Sequence, residues 1–163
     1  EWRKNRDYAA ELIKELTAKG ATVVFVSGDA GSKSIIESMK DYKYDAVVSI
    51  HCNASNNNSS VKGVEVFYSE EDKNGKGGIG EDGLPSILSK KLGTNKLKSD
   101  TLTHFGSNGF LRGGVYSPSV LLEMGYLTNE YDKLNIDSLR DRQKKMKLVA
   151  EGLVEFLNPK KAK

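Results

Sequence analysis

Asp45-Ala46-Val47-Val48-Ser49-Ile50 is short, apolar and rich in β-branched side chains, which favours a buried strand over a helix, and it delivers His51 to its carboxyl end. Upstream lies a second run of the same kind, Ala21 to Val26, followed by a Gly28-Asp29-Ala30-Gly31 loop. Between the two runs, Ile35, Ile36 and Met39 suggest a short helix, with Ser34 and Glu37 spaced as a capping box. Further upstream, Ala9, Leu12, Ile13 and Leu16 fall at i, i+3, i+4 and i+7, so residues 3–19 should form an amphipathic helix that Gly20 closes. Helix, strand, helix, strand is the pattern of an α/β sheet with parallel strands.

Downstream, Asn53 to Ser60 reads as loop, and Gly63 to Tyr68 alternates like a half-buried strand near an edge. Residues 84–93 form a helix with Pro85 in its first turn, and Met146, Val149, Ala150, Leu153 and Leu157 give a final helix its buried stripe. The glycine-broken stretch from Thr94 to Tyr116 is expected to be irregular, with at most a short strand around Phe110 to Arg112. Val120-Leu121-Leu122 is a third buried strand, ending at Glu123. The reading is a single α/β domain over residues 1–158, three-layered, with a central, mostly parallel twisted sheet and helices on both faces. Residues 159–163 are a basic tail or the start of a linker.

Composition narrows the function. No run approaches the roughly 18 apolar residues of a membrane span, so membrane insertion is not expected. The single Cys52 excludes an internal disulfide and any zinc site built from several thiolates. A net charge of +3, from 25 basic and 22 acidic residues intermixed, leaves no footprint for nucleic acid.

Open α/β sheets gather their functional groups beyond strand ends, and two ends here are polar. His51 and Glu123 could face one another across one edge of the sheet. Singly, each also reads as a capped strand end, the histidine bonded to a loop carbonyl and the glutamate in a surface ion pair. Phe110, Arg112, Tyr116 and Asn129 could line a groove, although the aromatics serve equally as packing and Arg112 as an ion-pair partner. Cys52 follows His51 along a strand, so its side chain points to the opposite face as a buried filler.

Val48-Ser49-Ile50-His51-Cys52-Asn53-Ala54-Ser55 and Val120-Leu121-Leu122-Glu123-Met124-Gly125-Tyr126-Leu127-Thr128-Asn129 resemble two signatures of the zinc-dependent N-acetylmuramoyl-L-alanine amidases. That family of bacterial autolysins, sporulation lysins and phage endolysins cuts peptide stems from peptidoglycan. Glu1, Asn5 and the helix and apolar run that follow are similar to the family's zinc-binding glutamate and the elements after it. The resemblance implies a zinc cofactor, with Glu1 and His51 as two of its three protein ligands and Glu123 as the catalytic carboxylate. It implies a zinc-polarised lactyl carbonyl, with Glu123 as general base toward water and then as proton donor to the leaving L-alanine amine. Asn53, Arg112 and Asn129 are the candidate substrate contacts.

The family's first zinc ligand is a histidine in a turn after an opening strand, and this chain begins downstream of that segment. The expectation is therefore a sheet lacking one inner strand and a chain that is part of a longer protein. His104, the only other histidine, is expected to be a loop or groove residue. The implied partner is bacterial peptidoglycan, with a possible C-terminal wall-binding domain. The implied place of action is the cell wall, reached by secretion or, for a phage lysin, by release from the cytoplasm. Two alternatives stand beside this reading: an inactive wall-binding module of the same fold, and a zinc peptidase acting on the stem peptide.

Overall fold

The computed structural model describes residues 1–26, 37, 43–56, 58–102, 111 and 117–158. Helix α1 (Trp2–Ala18) buries Tyr8 and Leu12 from its apolar stripe. Gly20, at φ +83°, turns the chain out of the helix. The Gly20 N–H donates to the Thr17 carbonyl at 3.0 Å and the Ala21 N–H to the Leu16 carbonyl at 3.1 Å, the paired bonds that close a helix through a left-handed glycine.

Four strands follow, β1 (Val47–Asn53), β2 (Glu65–Tyr68), β3 (Leu97–Ser99) and β4 (Ser119–Tyr126), interleaved with α2 (Leu84–Leu92), α3 (Glu130–Asp137) and α4 (Leu139–Leu157). The sheet order is β1-β4-β2-β3. β1 with β4 and β2 with β3 are parallel, and β2 runs antiparallel to β4. This is an α/β fold with a mostly parallel sheet. One sheet face contributes Cys52, Val66, Val120, Leu122 and Met124 to a core shared with α1, α2 and α4. On the other face Phe67 and Leu121 pack with Leu111. No described helix is long and apolar enough to cross a membrane.

The β1–β4 ladder is fastened at both ends. The Tyr44 N–H donates to Ser117 Oγ at 2.8 Å where the ladder starts, and the Ser55 N–H donates to Thr128 Oγ1 at 3.0 Å where it finishes.

Several expectations change. Ala21 to Val26 forms no strand, and Val24, Phe25 and Val26 are 60%, 49% and 39% exposed. Its β-branched composition supplies propensity, but a strand also needs a ladder partner, and no described strand lies beside it. β1 is an edge of the described sheet and only partly buried, and it continues past His51 to Asn53. β2 lies between β4 and β3, not near an edge, and all four of its residues are buried. β4 runs three residues beyond Glu123, to Tyr126, so the carboxylate sits within the strand. The stretch expected to be irregular after Thr94 contains β3. The helix expected around Ile35 to Met39 except Glu37, which is helical and exposed, the proposed strand around Phe110 to Arg112 except Leu111, His104, Tyr116 and the tail 159–163 lie outside the described residues.

Candidate active site

His51 on β1 is the register partner of Glu123 on β4, and Glu123 is in turn the register partner of Glu65 on β2. Register partners on a pleated sheet point to the same face, so three ionisable side chains form a row across three strands, opposite the face that holds Cys52. Burial pushes the Cys52 thiol up to about 12, with the Glu123 and Glu1 charges adding to it, so the cysteine stays a packed thiol.

The start of α1 lies against this row. His51 Nδ1 is 3.1 Å from Glu1 Oε1, and His51 Nε2 is 3.1 Å from Ser49 Oγ. Which ring nitrogen carries the proton follows from the tautomer, and Ser49, two residues back on the same strand face, can serve either form. Glu1 and His51 offer a carboxylate oxygen and an imidazole nitrogen, the donor types zinc takes. Two ligands held about 2.0–2.1 Å from a tetrahedral zinc lie about 3.3 Å apart, close to the observed separation. The pair therefore fits two positions of a zinc site. Among the described residues, no group of three or more His, Cys, Asp or Glu side chains is arranged to hold a metal ion.

Glu123 is partly buried, and its Oε2 is buried without a hydrogen-bond partner. Burial, followed by the charges of Glu1 and then Glu65, pushes its carboxyl up to about 8. Two residues on, the β1–β4 register shifts and Gly125 adopts φ +141°. The irregularity re-aims Tyr126, whose hydroxyl donates to Glu65 Oε1 at 2.8 Å. Asp132 Oδ2 fixes the bend, accepting from the Tyr126 N–H at 2.8 Å and the Gly63 N–H at 2.7 Å.

Glu65 is the site residue that the sequence reading missed. The sequence reading gives Gly63 to Tyr68 only as a half-buried strand near an edge, yet Glu65 is 2% exposed. Its Oε1 also accepts from Lys98 Nζ at 2.8 Å, with Lys96 Nζ at 3.7 Å, and its Oε2 accepts from Asn53 Nδ2 at 3.3 Å. The available signal was Lys96-x-Lys98, two lysines spaced to share one strand face, but it has meaning only once β3 is known to lie beside β2.

Of the candidate substrate contacts, Asn53 reaches Glu65 with its amide and accepts from the Ala54 N–H with Oδ1. Asn129 caps α3, its Oδ1 accepting from the Asp132 N–H and its Nδ2 donating to the Ser59 carbonyl. Arg112 lies outside the described residues.

A family profile described as N-acetylmuramoyl-L-alanine amidase matches residues 1–155. The chain is 28% identical over 153 residues to "Probable cell wall amidase LytH" of Staphylococcus epidermidis, covering 92% of this chain and 47% of that protein. It is 30% identical over 123 residues to an uncharacterized cell wall amidase of Bacillus anthracis, covering 74% of this chain and 23% of that protein. The chain thus spans about half the length, or less, of these curated relatives. Among solved structures it matches the CwlD amidase from Clostridioides difficile in complex with the GerS lipoprotein, with TM-score 0.74 and 19% identity over 96% of this chain and 86% of that one. It also matches the N-acetylmuramoyl-L-alanine amidase AmiC2 of Nostoc punctiforme, with TM-score 0.73 and 20% identity over 93% of this chain and 81% of that one. At these identities the structural likeness speaks for the fold.

Proposed function

The chain belongs to the N-acetylmuramoyl-L-alanine amidase family, and from that premise we propose that it is a zinc-dependent hydrolase cutting the amide bond between N-acetylmuramic acid and L-alanine in bacterial peptidoglycan. The observation that carries the reading is one row of side chains. A carboxylate with a buried, unpaired oxygen stands in register with a histidine that already meets a second carboxylate.

Glu1 Oε1 and His51 Nδ1 would hold the zinc, and Ser49 Oγ would fix the imidazole ring from its far side. When bound, the metal supplies Lewis acidity toward the scissile carbonyl and acidifies a water. Glu123 Oε2 takes the proton of the attacking water, because no described donor occupies it. A carboxyl raised to about 8 by burial holds that proton well and can hand it to the departing L-alanine amine. A cation held by Glu1 and His51 would draw this value down. The place of action is the cell wall, in keeping with the descriptions of the curated relatives.

The test pairs elemental analysis for zinc with an assay for amino groups released from purified peptidoglycan. New amino termini on L-alanine support the amidase, whereas free D-alanine points to a peptidase acting on the stem. Glu123→Gln should abolish release while retaining metal, and an active Glu123→Gln protein removes Glu123 from the mechanism. The alternative outcome is an inactive wall-binding module of the same fold. Peptidoglycan binding with neither zinc nor release would establish it.

A further inference from the structure

Glu65 is a buried carboxylate held by each of the other three described strands. Asn53 reaches it from β1, Tyr126 from β4 and Lys98 from β3, with Lys96 just outside β3 completing the set. Burying a carboxylate against lysines that stay about one-third exposed is a poor route to stability, since apolar side chains of similar volume often do as well or better. Chain stability therefore gives no reason for a glutamate here. Its register partner Glu123 shows the opposite condition, with a buried Oε2 that receives no hydrogen bond.

The two conditions are complementary. The Tyr126 hydroxyl, the Asn53 amide and the Lys98 ammonium all converge on Glu65, the register partner that shares the sheet face of Glu123. We propose that Glu65 is a positioning residue that withholds these donors from Glu123, so that the Glu123 carboxylate stays unpaired and open to the proton of the attacking water. The proposal rests on the amidase reading for its consequence, but its structural content stands separately. β2 separates β3 from β4, so Lys98 and Glu123 lie about 10 Å apart across the sheet, but the Lys98 ammonium already reaches β2 at Glu65 Oε1, and once freed this long, flexible side chain can extend on to Glu123. Once paired with an ammonium, Glu123 would be a weaker base. Lys96 is less free to follow, because its ammonium also donates to the Lys62 carbonyl and lies 5.8 Å from the Tyr126 ring centre.

The test uses Glu65→Met, which keeps the volume and removes the acceptor. A crystal structure of this variant should show Lys98 Nζ in hydrogen-bond contact with the Glu123 carboxylate. A Lys98 turned to solvent, with Glu123 still unpaired, overturns the proposal whether or not the wild-type protein cleaves peptidoglycan. In the amidase assay, Glu65→Met should lower kcat by about tenfold or more with KM little changed, because a general base contributes roughly 100-fold or more. Adding Lys98→Met should restore most of that loss, since it removes the competing cation. A merely structural Glu65 gives no such rescue, and a double variant as slow as the single one refutes the donor-withholding role. Should Glu65→Met fail to fold, Glu65→Gln carries the same two readouts, with a smaller loss expected because its amide oxygen still accepts. A wild-type protein with no activity sinks the amidase reading alone, and the crystal structure still decides the role of Glu65.

Discussion

Replacing Glu123 with glutamine should stabilise the metal-free protein, by an amount that grows with pH. In the metal-free fold, burial and then the Glu1 and Glu65 charges raise this carboxyl from an ordinary 4.5 to about 8. Below pH 4.5 the group is protonated in folded and unfolded chains alike and has no effect. As pH rises from there, the unfolded chain releases its proton while the folded chain retains it, so stability falls until about pH 8 and is level above. The span of about 3.5 pH units, at about 1.4 kcal/mol each, sets a ceiling of roughly 5 kcal/mol. Water reaching this partly buried side chain and local relaxation reduce it to roughly 2–4 kcal/mol. Glutamine is nearly isosteric and does not titrate. Urea denaturation of chelator-treated wild-type and Glu123→Gln proteins, at several pH values from about 4.5 to 8.5, measures the difference, in which other titrating groups largely cancel. The gap should be near zero at the acid end and widen steadily. A gap independent of pH, or one that closes as pH rises, would refute the burial argument.

Gly125→Ala should lower stability by roughly 1–3 kcal/mol, because φ +141° strains any L side chain and the new Cβ would lie 3.2 Å from Asp132 Cγ; thermal denaturation reads this, and hydrolysis should fall with it as Tyr126 shifts. Tyr8→Phe removes a buried hydroxyl that has no hydrogen-bond partner, so it should be neutral or stabilising by up to about 1 kcal/mol in the same assay. Ser49→Ala should weaken zinc affinity about tenfold, measured by competition with a chromophoric chelator, because it removes the group that steadies the far side of the His51 ring.

The parts of the fold legible in the sequence were those set by local pattern. The stripe of α1 and its closure at Gly20 need only residues within two turns of one another, and they appear as read. Strand identity was legible for β1 and β4, but their limits were not. A glutamate inside an apolar run looks like the end of the run, whereas β4 carries Glu123 through its middle because the row beside it is polar too. Glu65 escaped notice for a related reason. What permits its burial is Lys98, 33 residues away, and no local pattern announces a partner supplied by another strand. Ala21 to Val26 shows the converse, strong β propensity with no described strand beside it to pair with. The meeting of Glu1 with His51 was suggested by likeness to a family, since no local pattern dictates a contact at a sequence separation of 50.

The fastening of β1 to β4 has a consequence for how quickly the protein comes to life. The bonds at the two ends of that ladder, Tyr44 to Ser117 and Ser55 to Thr128, each span 73 residues. Drawing the ends of so long a loop together carries an entropic cost of about 4 kcal/mol beyond a constant term, and the ladder returns nothing until it begins to form. His51 and Glu123 sit on opposite sides of that closure, so they become neighbours only when it is complete. In refolding, α1 can form while the strands are still apart, and hydrolytic capacity should emerge with the slowest phase, after most of the helical signal has returned.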